Sequence, residues 1–167
     1  SEALTHAGIH NGANIDLRSI DAEKITDENA KKPLSDCDGI IVPGGFGDRG
    51  IEGMISAAKY CSENDVPYLG ICLGMQIAVI EFARHSAGLV DANSREFNPD
   101  SDNKVIDIME GQIGCENTGG SMRLGAYECR IKEGTRLMRA YGLPSIRERH
   151  RNRYEFNNSY RARMEAL

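Results

Sequence analysis

A cysteine flanked by glycines is the strongest chemical signal in the sequence, within the segment Gly70-Ile71-Cys72-Leu73-Gly74. The segment is the cysteine version of the G-x-S-x-G nucleophile elbow, in which a sharp strand-to-helix turn holds the nucleophile in strained backbone. The flanking glycines remove the clashes that such a turn causes. The positive end of a helix that begins at Leu73 favours the thiolate of Cys72, and the Leu73 N–H is a natural oxyanion donor. The alternative is a structural cysteine between two packing glycines.

A glycine-rich loop precedes the elbow, with the sequence Gly45-Phe46-Gly47-Asp48-Arg49-Gly50. Its spacing fits the G-x-G-x-x-G string of dinucleotide-binding turns, which also requires an acidic residue at the end of the next strand. That strand ends at Cys72 without a carboxylate. Consecutive glycines also let backbone N–H groups approach an anion, such as the oxyanion of an acyl-transfer intermediate. We favour this second use, and a tight turn without a ligand is the remaining alternative.

A general base for the cysteine is not evident in the sequence. A cysteine nucleophile usually works with a histidine that a carboxylate orients. The histidines are His6, His10, His85 and His150. His85 follows the elbow helix at the end opposite to Cys72, and His150 lies within an arginine-rich run. None of them is followed closely by Glu or Asp at the end of a recognisable core strand.

The elements that must position these residues alternate between strand and helix. Short β-branched runs at 38–43 and 67–71 predict strands buried on both faces, and apolar residues at helical spacing predict helices over Ile51–Glu63 and 73–84. Two strand–turn–helix units so close together indicate an α/β fold with a parallel sheet. Further predictions are strands at 13–20, 105–108 and 123–131, with an antiparallel arrangement as one possibility for the last two, helices at 135–141 and 157–167, and loops at 93–104 and 110–121.

Composition narrows the protein class. Of the 167 residues, 40% are hydrophobic and 27% charged, which is typical of one globular domain. A net charge of −5 argues against a nucleic-acid partner. The longest apolar stretch is shorter than the roughly 18 residues that span a bilayer, and no signal peptide is evident. The five cysteines form no C-x-x-C pair, so we predict a reducing, cytoplasmic compartment and no metal site.

The run from Arg147 to Glu155 is unusual because neither face of a strand here is apolar. Alternation places four arginines on one face, with Glu148, His150 and Asn152 on the other. The alternatives are a solvated edge strand and a set of arginines that binds an anion.

Several segments together resemble the glutamine amidotransferase domain of the CTP synthase family, a class I (triad) amidotransferase. The resemblance runs through Pro43-Gly44-Gly45-Phe46-Gly47, the elbow with Met75 and Gln76, and Glu96-Phe97. The segments 119–125 (GGSMRLG) and 148–155 (ERHRNRYE) single out this family, and the match covers essentially the whole chain. It implies the flavodoxin-like parallel sheet with flanking helices of class I amidotransferases.

The resemblance also implies a reaction. Cys72 attacks the carboxamide of L-glutamine, releases ammonia and forms a glutamyl thioester, which water hydrolyses to glutamate. The ammonia passes to a synthetase domain of the same polypeptide, where UTP becomes CTP. Gly45 and Leu73 correspond to oxyanion contacts, and Glu96 and Arg153 suit the ammonium and carboxylate of glutamine. The full set of substrate-binding residues implied is Gly45, Leu73, Gly74, Met75, Gln76, Glu96 and Arg153.

The same resemblance implies no cofactor for this domain. ATP and Mg belong to the synthetase domain, and GTP is expected as an allosteric effector of the full enzyme. The family's His-x-Glu and its opening central strand have no counterpart in these residues. We therefore expect residues 1–167 to be a partial amidotransferase domain, incomplete at both ends, without steady-state glutaminase activity of its own. Asn152 and Ser121 stand where the family more often has His and Thr.

Two other functions are compatible with the sequence. A non-catalytic amidotransferase remnant would bind glutamine or a partner, which the lack of a base favours and the intact elbow disfavours. A cysteine hydrolase or chaperone-like relative would share the elbow but needs a histidine soon after the elbow helix, where His85 is the candidate. A downstream strand that ends in His-x-Glu would distinguish the enzyme from both.

Overall fold

The structure, a computed structural model, describes residues 1–108 and 123–167. The helices are α1 (Glu2–His10), α2 (Lys31–Leu34), α3 (Ile51–Glu63), α4 (Leu73–His85), α5 (Arg136–Tyr141) and α6 (Arg161–Glu165). The strands are β1 (Ile40–Val42), β2 (Tyr68–Gly70), β3 (Asn93–Ser94), β4 (Lys104–Ile108), β5 (Arg123–Arg130), β6 (Ser145–Asn152) and β7 (Tyr154–Phe156). Short 3₁₀ turns lie at Ala22–Lys24 and Asn158–Tyr160. None of the helices within these ranges is long and apolar enough to cross a membrane.

The strands β1 and β2 pair in parallel, with α3 as the crossover between them and α4 following β2. This is the strand–turn–helix arrangement that the sequence predicts, and the predicted helices α3 and α4 are confirmed. Ile77, Ile80 and Ala83 of α4 are fully buried, as their spacing indicates. They pack with Ile51 and Ile55 of α3 in one hydrophobic core.

The glycine at the start of α4 lets this helix lie directly against β1. A Cβ atom at Gly74 would overlap the carbonyl oxygen of Val42. The Tyr68 hydroxyl donates a hydrogen bond of 2.8 Å to the carbonyl of Gly74. The first turn of α4 is thus held against both parallel strands, which fixes the position of Cys72.

A second sheet, with strand order β3-β4-β7, packs against the other side of the core. β3 is parallel to β4, and β7 is antiparallel to it. Val105 and Ile106 of β4 are fully buried in the same core as α4. This sheet places Glu96, two residues after β3, near the glycine loop.

An antiparallel ribbon of β5 and β6 leads into the second sheet. The predicted antiparallel strand at 123–131 is therefore confirmed in β5. A bend at Arg153 separates β6 from β7. Because the chain changes sheet at this bend, Asn152 belongs to the ribbon and Tyr154 to the second sheet.

Three sequence expectations need correction. The predicted strand at 13–20 is irregular, and Ile15, Leu17 and Ile20 are 43%, 53% and 37% exposed, because no strand in the described ranges pairs with this segment. β1 and β2 are not buried on both faces, since the paired residues Ile41 and Leu69 are 37% and 53% exposed. The predicted loop at 93–104 contains β3, which pairs with β4.

Two further expectations concern the later part of the chain. The helix predicted at 157–167 is the 3₁₀ turn Asn158–Tyr160 followed by α6. The helix predicted at 135–141 is confirmed as α5, with the Thr135 side chain as its N-cap. The loop predicted at 110–121, and Cys115 and Ser121 with it, lies outside the described residues.

The core packing predicts that two isoleucines contribute very differently to the free energy of unfolding. Ile77→Ala removes a fully buried side chain and should lower the free energy of unfolding by about 2–5 kcal/mol. Ile9→Ala is the matched control, because Ile9 is 74% exposed and its loss should change stability by no more than about 0.5 kcal/mol. Urea denaturation measures both. Equal destabilisation by the two substitutions would contradict this account of the core.

Candidate active site

The backbone at Cys72 is strained, as the elbow motif predicts. Its φ of 55° and ψ of −105° lie in a region that a side chain with a Cβ rarely adopts. Asp65 is the other non-glycine residue with positive φ in the described ranges. Cys72 is the residue immediately before α4, so its thiol lies at the positive end of this helix. The sharp turn requires glycine at position 70, because a Cβ atom there would overlap the backbone of Gly74.

The glycine loop after β1 lies beside the elbow after β2. A Cβ atom at Gly44 would lie 3.3 Å from the Cβ atom of Cys72, and one at Gly45 would lie 3.0 Å from Cδ2 of Leu73. The two segments meet because the carboxyl ends of parallel neighbouring strands lie at the same edge of a sheet. The structure thus brings together the residues that the sequence suggests as oxyanion contacts, Gly45 and Leu73.

Glu96 and Arg153 approach each other, although they are far apart in sequence. Both side chains are half-buried. Burial raises the pKa of Glu96 above its ordinary value, while the Gly47 N–H and the positive charge of Arg153 act in the opposite direction. The Gly47 N–H lies 3.4 Å from Oε1 of Glu96. The Glu96 carboxylate therefore lies at the glycine loop, within reach of the positive charge of Arg153.

The remaining predicted substrate residues lie in the first turn of α4 and have different environments. Gln76 is only 5% exposed, and its Nε2 lies 3.4 Å from the carbonyl oxygen of Tyr154, to which it donates. Gly74 is buried against β1. Met75 is 41% exposed.

A largely buried arginine, Arg84, connects the elements around the site. Arg84 of α4 forms two hydrogen bonds to the carboxylate of Glu52, of 2.7 and 3.1 Å. Its Nε donates to the carbonyl of Ala92, just before β3, at 2.8 Å. Arg84 thereby ties α3 and α4 to the segment that carries Glu96. Sequence reasoning assigned it no role, because its partners are not its neighbours in sequence.

One contact at Cys72 was also missed by the sequence analysis. Nδ2 of Asn152 lies 3.4 Å from Sγ of Cys72 and donates a hydrogen bond to it. The sequence places Asn152 on the non-arginine face of a strand but gives no sign of what this face meets.

The arginine run and the other candidate cations have separate positions. Arg147, Arg149 and Arg151 are exposed on β6. Arg49 pairs with Glu23, at 2.7 Å, beside a cavity of about 420 Å³. This cavity is lined by Ala22, Glu23, Ile25, Asp48, Gly50, Ile51, Glu52, Gly53, Asn93 and Phe97, and Cys72 is not part of its lining.

No histidine in the described parts of the chain is hydrogen-bonded to Cys72. Nδ1 of His85 lies 3.3 Å from the carboxylate of Glu81, at the end of α4 opposite to the elbow. His150 of β6 packs edge-on against Tyr127, with ring centroids 5.4 Å apart.

These features, a strained cysteine elbow beside a glycine loop in an α/β fold, agree with the comparisons with known proteins. The family profile "Glutamine amidotransferase class-I" matches residues 1–166, and the chain belongs to this family. Its fold is the class I amidotransferase fold.

Similar proteins within this family include CTP synthases. The CTP synthase of Levilactobacillus brevis is 60% identical over 99% of this chain, and that of Carboxydothermus hydrogenoformans is 56% identical over 100% of it. The chain spans 31% of the length of each of these relatives. The solved structure of the Trypanosoma brucei CTPS glutaminase domain with bound acivicin is also similar. It has a TM-score of 0.89 and 38% identity, covering 99% of this chain and 64% of that one.

The site predicts which cysteine reacts first. Cys72 should be alkylated before the other described cysteines at neutral pH, because it lies at a helix N-terminus and is not fully buried. Cys61 is the internal control, since burial raises the pKa of its thiol to about 11. Brief iodoacetamide treatment of the folded protein, followed by peptide mapping, measures the order. Earlier labelling of Cys61 or Cys129 would count against the elbow.

Proposed function

We propose that this chain carries the glutaminase reaction of a CTP synthase, with Cys72 as the nucleophile. The observation that carries the proposal is the position of Cys72, at positive φ before α4 and beside the glycine loop. Similarity to a CTPS glutaminase domain with bound acivicin, a glutamine analogue, supports L-glutamine as the substrate.

The charges near the elbow suit a zwitterionic amino acid. The carboxylate of Glu96 pairs with the substrate ammonium, and the guanidinium of Arg153 pairs with the α-carboxylate. Without substrate, the positive charge of Arg153 favours the ionised form of the Glu96 carboxyl. Bound glutamine forms one ion pair with each residue through the two charged groups on its α-carbon, and these two pairs orient its side-chain amide.

The reaction then proceeds at the carboxamide. The Cys72 thiolate attacks the carbonyl carbon, and the N–H groups of Gly45 and Leu73 stabilise the oxyanion. The tetrahedral intermediate expels ammonia once its nitrogen is protonated, leaving a glutamyl thioester. Water attacks the thioester, releases glutamate and restores the thiol. No cofactor takes part in these steps.

The base that transfers these protons is proposed to be the histidine of a His-x-Glu motif, which these 167 residues do not contain. The 167 residues alone should therefore bind glutamine without sustained turnover. In the full-length protein the ammonia reaches a synthetase domain of the same polypeptide, which uses ATP and Mg to convert UTP to CTP in the cytoplasm. GTP is the proposed allosteric effector. The CTP synthase relatives, of which the chain spans 31%, support this larger role.

The lack of a hydrogen-bonded histidine among the described residues favours one second candidate, a glutamine-binding module without turnover. Glutamate release from glutamine by the full-length protein separates the two. Sustained release that depends on Cys72 supports the enzyme, and glutamine binding without release supports the module.

Substitution of Arg153 tests the proposed substrate site. In the full-length protein, Arg153→Ala should lower kcat/KM for glutamine by roughly 10–150-fold, because a hydrogen bond to a charged group contributes about 1.5–3 kcal/mol. CTP synthesis from free ammonia should be unchanged. Arg149→Ala, on the exposed face of β6, is the matched control and should affect neither activity. An equal loss of both activities in Arg153→Ala would assign Arg153 to folding or to a domain contact.

The raised pKa of Glu96 predicts a pH dependence of glutamine use. As the pH falls, Glu96 takes up a proton at a higher pH than an exposed glutamate does, and the neutral acid no longer attracts an ammonium. As the pH is lowered, the KM for glutamine should therefore begin to rise at a higher pH than it would with a carboxylate of ordinary pKa. Glu96→Gln should raise this KM by roughly 10–150-fold at neutral pH. The further increase of KM at acidic pH should be absent in this variant. Glu2→Gln, at an exposed position, is the control. If KM still increases at acidic pH in Glu96→Gln, the pH dependence belongs to another group.

A further inference from the structure

The nucleophile has a hydrogen-bond donor that no expectation above uses. Nδ2 of Asn152 lies 3.4 Å from Sγ of Cys72, which is an ordinary distance for an N–H group and sulfur. Asn152 is half-buried at the last position of β6.

The segment that carries Asn152 is fixed against the elbow by its neighbours. Two residues later, the carbonyl of Tyr154 accepts a hydrogen bond from Gln76, one turn after Cys72 in α4. Tyr154 itself pairs with Ile108 in the second sheet. On the other side, Asn152 pairs with Arg123 in the ribbon. Because the backbone is held on both sides, the Asn152 amide is directed at Cys72.

The chemistry of the amide matters because the nucleophile is the thiolate. An N–H donor stabilises a negatively charged sulfur more than a neutral thiol, since a hydrogen bond to a charged group is the stronger one. The hydrogen bond from Asn152 also restricts the orientation of the Cys72 side chain before the sulfur attacks the substrate.

We propose that Asn152 is a catalytic residue that donates a hydrogen bond to the Cys72 thiolate, thereby increasing the thiolate population and orienting the sulfur. This inference rests on the proposed role of Cys72 as the nucleophile. It adds a second source of thiolate stabilisation, on a strand, to the positive end of α4. The Asn152 hydrogen bond and the N-terminus of α4 belong to different elements, so substitution of Asn152 removes one and leaves the other.

The pH profile of alkylation distinguishes this role from simple packing. A donor to the thiolate increases its population about tenfold, but a more stable thiolate is also a weaker nucleophile by about threefold. Asn152→Ala should therefore react about threefold more slowly with iodoacetamide at neutral pH and about threefold faster at alkaline pH, where the thiol is fully ionised in both proteins. A change in access alone would move both rates in the same direction.

The experiment measures iodoacetamide incorporation at Cys72 in the full-length protein by peptide mapping across this pH range. Asn152→Asp keeps the side-chain shape but replaces the donor with a negative charge, so its slowing at neutral pH should exceed that of Asn152→Ala. Asn158→Ala changes an exposed asparagine and is the matched control. Cys61 in the same samples controls for loss of folding, because it is 3% exposed in the folded chain.

Opposite changes at neutral and alkaline pH, with Cys61 still protected, would support the proposal. A Cys72 profile in Asn152→Ala that matches the parent protein, or one that shifts in the same direction at both extremes, would overturn it and leave the proposed function intact. A Cys72 that is no more reactive than Cys61 in the parent protein would instead overturn the proposed nucleophile, and this inference with it.

Discussion

The contact between the first turn of α4 and β1 sets the geometry on which the rest of the site depends. It requires a residue without a Cβ at position 74, because any side chain there would overlap the Val42 carbonyl. With the helix in this position, its N-terminus lies at the carboxyl ends of both parallel strands. Cys72 then has no room for relaxed backbone and adopts a positive φ, while the glycine loop after β1 lies against Leu73. The strained backbone at Cys72, the position of the α4 N-terminus and the approach of the glycine loop to Leu73 are consequences of one packing contact.

The change of sheet at Arg153 completes the site from the opposite side. Three consecutive residues make three different contacts there: Asn152 with the sulfur of Cys72, Arg153 electrostatically with Glu96, and Tyr154 with Gln76. A continuous strand would point the side chains of Asn152 and Arg153 to opposite faces, so it could not direct both of them at one site. The bend makes this possible by giving β6 and β7 different partners.

Arg84 stabilises the packing of the elements that carry the site. Arg84 joins α3, α4 and the start of β3 through three hydrogen bonds, two to the Glu52 carboxylate and one to the Ala92 carbonyl, and its side chain is largely buried. Bidentate pairing suits this task, because the planar fork fixes direction as well as distance. The position of Glu96 depends on this arrangement, since the segment from Ala92 to Glu96 is short and starts at the Arg84 contact.

The sequence by itself determined the parts of the protein that depend on near neighbours. The bounds of α3, the strained elbow at Cys72 and the burial of Ile77 follow from local spacing, and the family resemblance follows from short motifs. The same reasoning failed at 13–20, because an alternating pattern makes a strand only where another strand pairs with it. Only the tertiary structure decided that Asn152 meets Cys72 and that Arg84 reaches Ala92. These contacts join residues by packing rather than by spacing, and the distance along the chain carries no information about them.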